Sequence, residues 1–260
     1  FDLAERFQTP VFVVSDLDIG MNDWMCRRLT WDDSYRPDRG KVLGAQELER
    51  IGRFSRYLGE NGDAIAPRTL PGVDARGAYF TRGSGHDVHA AYTEDADAYA
   101  EVLARLGRKI QQSADAVPEP AIDRQDGGAG VGVVSIGSCH AAVKEAVDRL
   151  RSEGVAVDYM RVRGFPFSAA VGRFLSEHEP VFVVEQNRDA QLRSLLALET
   201  GTPRDSMTPI LDYGGVPLSA APIAEAVKVN RGLRTANREP ILPRSNSQLA
   251  GRTAQQAEDS

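Results

Sequence analysis

The chain has 260 residues, 42% of them hydrophobic and 26% charged, a balance that suits a globular protein with room for one large domain or two ordinary ones. Its net charge of −6 argues against nucleic acid as a partner, because phosphate backbones ask for a basic surface. No apolar run reaches the roughly 18 residues of a membrane helix, no secretory signal is visible, and neither cysteine, Cys26 or Cys139, belongs to a C-x-x-C pair. A cysteine-ligated iron–sulfur cluster needs about four clustered thiolates, so none is expected on this chain alone. Two unpaired thiols fit a reducing compartment.

In chain order, the sequence opens at Phe1 with a helix end followed by an apolar run, Val11 to Ser15, that reads as a buried strand. The start inside such a pattern predicts a fragment cut within a domain. Residues to about Gly40 are polar and irregular yet carry Trp31 and Tyr35, which reads as a docking arm. Gly44 to Leu58 places Leu48, Ile51, Phe54 and Leu58 on one helical face. Glu94 to Gln112 predicts a second helix, capped by Thr93, with Tyr99, Val102, Leu103, Leu106 and Ile110 on one side. Residues 117–130, rich in proline and glycine, mark the clearest domain boundary.

A regular βαβ series follows. Strands are predicted at Val131 to Ile136, Val155 to Val162, Val181 to Glu185 and Thr208 to Leu211. Helices are predicted at Cys139 to Arg151 (capped by Ser138), Ser168 to His178, Asp189 to Glu199 and Pro222 to Asn230 (capped by Ser219). This alternation implies a parallel sheet covered on both faces. Beyond about Arg231 the composition turns polar and repetitive, as in disordered tails.

Five motifs carry candidate chemistry. Gly77 to Asp95 packs Arg82, Ser84, His86, Asp87 and His89 into a glycine-rich loop between two helices. His86 beside Asp87 could be a general base with its orienting carboxylate. The alternative is a polar loop pinned at a junction. Asp16, Asp18, Asn22 and Asp23 alternate after the first predicted strand, but position six from Asp16 is Met21, so the EF-hand pattern fails and loop bonding or subunit contact remains. Gly137-Ser138-Cys139 opens a helix, where anions can bind, yet it lacks the G-x-G-x-x-G spacing of a dinucleotide turn. Cys139 and His140 are neighbours on a helix and point apart. Arg163 to Phe167 reads as a turn with its rings in the core. Glu185, Asn187 and Arg188 end a parallel strand, where α/β sheets place ligands and interfaces. Glu185 and Asn187 either meet a partner or cap the helix that follows.

FDLAERFQTPVFVVSDLDIGMN, RTLPGVDARGAYFTRGSGHD, VVSIGSCHAAVKEAVDRL, the FPF turn and VFVVEQNRDAQLRSLL, taken in this order, resemble the alpha subunit of 2-oxoacid:ferredoxin oxidoreductases, most like the 2-oxoglutarate type. The resemblance covers nearly all of residues 1–231. It implies an α/β fold in which the end of a thiamine pyrimidine-binding domain, with inserted loops and helices (1–117), is followed by a linker (118–130), a transketolase C-terminal-like parallel-sheet domain (131–231) and a disordered tail (232–260). It implies conversion of a 2-oxoacid and coenzyme A to acyl-CoA and carbon dioxide, with electrons passed to ferredoxin, in the cytoplasm.

Thiamine diphosphate, Mg and an iron–sulfur cluster are implied for the complex, mainly on a partner beta subunit, with no cofactor or metal held by this chain alone. Neither the family's Y-P-I-T-P-type oxoacid motif nor the glutamate that activates thiamine is in this chain, so the fragment is expected to be inactive by itself. Arg82, His86 and Asp87 are the candidates for lying near the reaction or its subunit seam. Asp16, Asn22, Glu185, Asn187 and Arg188 are the interface candidates. The alternatives are a non-catalytic subunit-interaction module of a thiamine-dependent complex, or a pyruvate or branched-chain 2-oxoacid enzyme.

Overall fold

A computed structural model describes residues 1–59, 64–80 and 83–230. The helices are α1 (Asp2–Phe7), α2 (Leu17–Met21), α3 (Ala45–Ile51), α4 (Ala96–Gln112), α5 (Cys139–Ser152), α6 (Ala169–Glu177), α7 (Gln191–Thr200) and α8 (Ala220–Asn230). The strands are β1 (Ala121–Asp123), β2 (Val131–Ile136), β3 (Val157–Val162), β4 (Val181–Glu185) and β5 (Met207–Leu211). The chain divides into two compact units. The first holds Phe1–Val14 and Met25–Val117; the second holds Ser15–Trp24 and the residues from Pro118 onward. The predicted tail, 232–260, lies outside the described residues.

The second unit is built on one five-stranded sheet in the order β1-β3-β2-β4-β5. β3, β2, β4 and β5 run parallel, and β1 pairs antiparallel with β3 at the edge. Side chains on a strand alternate faces, and each face has its own core. Val133, Tyr159, Phe182 and Ile210 point to the side covered by α5 and α8. Val134, Met160, Val183 and Met207 point to the side covered by α6 and α7. Burial of both faces explains the unbroken apolar runs of β2 and β4. Pro209 is tolerated because β5 is an edge strand.

The predicted elements of this unit are all present, with ends shifted by at most two residues. Residues 118–130, read as a linker, contribute β1. At the Arg163 to Phe167 turn, Phe167 packs on the core while Phe165 is half exposed, and the two rings meet edge to face at 5.3 Å. Ser138 does not cap α5 with its side chain.

The first unit has little regular structure, and here three expectations need correction. Val11 to Ser15 is not a strand: no described strand pairs with it, and Phe12, Val13 and Val14 are exposed. The helix expected over Gly44 to Leu58 ends at Ile51, because Gly52 takes φ 70° and returns its N–H to Leu48 O. α4 starts after Asp95, whose carboxylate accepts from Ala98 N, while the Thr93 hydroxyl accepts from Asp95 N. Tyr99, Leu103 and Ile110 on its apolar face are exposed. What holds this unit together is more polar. Glu5 bridges Arg39 and Arg68, Gln8 donates to Ala66 O at 2.6 Å, and the buried Lys109 ammonium donates to Gln8 O at 3.2 Å. Tyr35 ties the arm before Gly40 back to Asp2, while Trp31 stays exposed. Among the described residues no helix is long and apolar enough to cross a membrane.

Candidate functional site

In the second unit, the carboxyl ends of β2 and β4 lie side by side where the strand order changes direction, the place at which parallel sheets present their loops. Gly137 and Ser138 follow β2; Gln186 and Asn187 follow β4. Asp16 caps α2 through Oδ1, which accepts from Ile19 N at 2.9 Å, and its Oδ2 accepts from Ser138 N at 3.1 Å. A carboxylate of the chain itself thus sits at the start of α5, where an anion would otherwise be favoured. Burial works against the charge of Asp16, yet the N–H groups of Ile19 and Ser138 hold its carboxyl below the ordinary range. The Ser138 hydroxyl donates to Gln186 Oε1 at 2.9 Å, and Cys139 Sγ lies 3.8 Å from the same oxygen.

The strand ends beneath are equally occupied. Glu185 is fully buried at the end of β4. Its Oε2 accepts from Asn187 Nδ2 and Leu192 N, both at 2.7 Å, and its Oε1 accepts from Arg193 N at 3.0 Å. Asn187 Oδ1 accepts from Asp189 N and Gln191 N. Glu185 and Asn187 together therefore build the start of α7. Arg188 is exposed and paired with its neighbour Asp189 at 2.7 Å. Asn22 bonds locally, to the main chain and carboxylate of Asp18. On β3, the buried Tyr159 hydroxyl joins Ser135 at 2.7 Å and His140 Nδ1 at 3.0 Å.

This rim has little reactive capacity. Burial pushes the Cys139 thiol up to about 11, so it is protonated at neutral pH and is a poor nucleophile. His140 faces Tyr159. Burial lowers its proton affinity, with Arg161 and Lys144 adding to the effect. Gln186 and the Ser135–Tyr159–His140 chain were not singled out from sequence. They join positions that only the sheet brings together, and no local pattern announces them.

In the first unit, the Gly77 to Asp95 loop folds back on itself. His86 and Tyr92 form an antiparallel bridge, Asp87 N donates to Ala91 O at 2.9 Å, and Thr93 N donates to Gly85 O at 3.2 Å. Gly85 is required by close approach, since a Cβ there would stand 2.6 Å from Thr93 O. Asp87 Oδ1 accepts from His89 N and Ala91 N, both at 2.9 Å, and so spends its charge on the turn. His86 meets Asp87 only through the main-chain carbonyl, at 3.2 Å, and its ring stacks on Tyr57 with centroids 3.8 Å apart. His89 Nδ1 pairs with the Ser55 hydroxyl at 2.9 Å. Arg82 lies outside the described residues. No group of three or more His, Cys, Asp or Glu side chains capable of holding a metal occurs among the described residues.

Residues 129–213 match the family model for pyruvate:ferredoxin oxidoreductase core domain II. An alpha subunit named 2-oxoacid:ferredoxin oxidoreductase 2, from Aeropyrum pernix, is 33% identical over 233 residues, which is 88% of this chain and 35% of that protein. The chain is a relative of the 2-oxoacid:ferredoxin oxidoreductase alpha subunits. A second such alpha subunit, from Saccharolobus solfataricus, is 25% identical over 90% of this chain and 37% of its own length. The chain thus spans little more than a third of these relatives. The solved 2-oxoglutarate:ferredoxin oxidoreductase from Magnetococcus marinus, with 2-oxoglutarate, coenzyme A and succinyl-CoA bound, superposes with a TM-score of 0.68 at 24% identity, covering 88% of this chain and 38% of that one. That likeness speaks to the fold. The stretch matching core domain II contains the four parallel strands of this alpha-subunit relative. The sheet is the parallel one, covered on both faces, that the alternation of strands and helices predicts.

Proposed function

We propose that the chain is part of the alpha subunit of a thiamine-dependent 2-oxoacid:ferredoxin oxidoreductase, with 2-oxoglutarate as the oxoacid. The observation that carries this reading is the 33% identity to a named alpha subunit across 88% of the chain. The reaction is oxidative decarboxylation of the 2-oxoacid with coenzyme A to acyl-CoA, with electrons leaving to ferredoxin, in the cytoplasm. Thiamine diphosphate with Mg would supply the electron sink for decarboxylation and an iron–sulfur cluster the electron transfer, both held mainly by the beta subunit. With one exposed and one buried cysteine, this chain has too few thiolates to ligate a cluster by itself.

Within that assembly the two units have different work. Residues 1 to about 40 are the end of the pyrimidine-binding domain. The second unit packs rather than reacts, a role supported by a rim whose carboxylates, amide and hydroxyls are already bonded to one another. Asp16, Asn22 and Arg188 are its candidates for partner contact. Arg82, His86 and Asp87 belong near the subunit seam in the first unit. The test is alanine at Arg82 or His86 in the assembled complex. Turnover is expected to fall by an order of magnitude or more while subunit association and thermal midpoint stay near wild type. Unchanged turnover returns the loop to a structural role.

A further inference from the structure

Beside the same loop, the first unit encloses a cavity of about 110 Å³ lined by Tyr57, Ala64, Glu101, Val102, Arg105 and Arg108, among others. That is far more than the roughly 10–15 Å³ that one water needs. Among the described residues, the charges around it are unbalanced. Arg105 and Arg108 line it, and Arg56 and Lys109 lie within electrostatic reach of Arg105. Glu101 is the one carboxylate among the described lining residues.

Gathering cations costs free energy unless something compensates them. Arg105 Nη1 donates to Ala64 O at 3.0 Å, but the buried Nε of Arg105 and the buried Nε of Arg56 have no acceptor among the described residues. Arg56 is engaged through its face instead, over the rings of Tyr57 and Tyr79 at 5.2 and 5.5 Å. Burial, followed by repulsion from neighbouring arginines, lowers the proton affinity of Arg105 and Lys109. A cavity with two guanidinium groups on its wall and buried N–H groups left without an acceptor among the described residues matches a multiply charged oxyanion, which accepts charge-assisted bonds from planar forks.

We propose that this cavity is a binding site for a phosphate group, gripped by Arg105 and Arg108 against the Tyr57 wall, with Arg56 and Lys109 supplying the surrounding positive field. A single carboxylate would leave more of the charge unmatched, so phosphate should bind more tightly than acetate at equal ionic strength.

Isothermal titration of inorganic phosphate into the full chain, with chloride balancing the salt, tests this. One phosphate per chain is expected, weakened about tenfold or more in Arg105→Gln and in Arg108→Gln. Arg108 is exposed, so its variant reports on binding even if the Arg105 variant folds poorly. Circular dichroism checks that fold. No saturable phosphate binding, equal binding by acetate, or wild-type affinity in the folded Arg108 variant would overturn the proposal.

Discussion

Asp16 shows how much one side chain can organise. It holds Ile19 N with one oxygen and Ser138 N with the other, so it caps a short helix and fastens it to the start of α5. Asn caps a helix about as well as Asp, but its NH2 group cannot accept from Ser138 N, so Asp16→Asn should lower stability in urea titration by about 1 kcal/mol at neutral pH. The pH dependence carries a sign. The folded carboxyl lies below its ordinary 3.8, so its contribution is complete above about pH 4 and vanishes as pH falls through the lowered folded value. The gap between wild type and Asp16→Asn should close in that acidic window, and a gap that widens there would contradict the assignment. Cys139 makes a second prediction at this scale. With its thiol buried and pushed up to about 11, a disulfide reagent at about pH 8 should label Cys26 alone in the native chain and reach Cys139 only after unfolding. Sequence made Glu185 legible as a strand-end carboxylate with a possible capping role, because helix and strand are local. It could not reveal the bond from Asp16 to Ser138, which joins residues 122 apart in the chain.

Elements were legible where the physics is local and two-sided. β2 and β4 are covered on both faces, so their apolar runs stood out. β1 has three residues, two of them exposed, inside a proline- and glycine-rich stretch, and nothing in its pattern separates it from a loop. Val11 to Ser15 shows the opposite error: an apolar, β-branched run has the propensity of a strand but lacks a described partner to complete one. The apolar face of α4 was legible as a pattern, yet Tyr99, Leu103 and Ile110 on it are exposed, since periodicity says which residues share a face and not what covers it. Packing within the sheet gives a sharper test at Gly132. A Cβ there would stand 2.9 Å from His178 Cβ and 3.0 Å from Phe174 Cε1. His178 cannot easily yield, being held by Asp158 at 3.0 Å and Phe174 O at 2.7 Å. Gly132→Ala should cost about 1–3 kcal/mol in denaturant titration. Gly130→Ala, whose nearest contact would be Glu179 O at 3.9 Å, should be close to neutral. Equal stability of the two variants would show that the α6 side of the sheet gives way more readily than this packing implies.

For the whole molecule, composition and charge narrowed the class, and motif order across residues 1–231 pointed to the family that the relatives then bore out. Chemistry was much less legible. A little more than a third of the relatives' length is present, and the described polar clusters are largely spent on holding loops and helix starts. The same rule governs both units: a carboxylate finds internal donors, as the buried Glu185 and the half-buried Asp87 do. The most direct measurement is 2-oxoacid oxidation, linked to ferredoxin or viologen and dependent on coenzyme A, by an alpha subunit containing this chain co-expressed with its beta partner. The account predicts turnover with 2-oxoglutarate that exceeds turnover with pyruvate and requires coenzyme A. A well-formed complex that oxidises no 2-oxoacid would contradict it and leave the chain an assembly module alone.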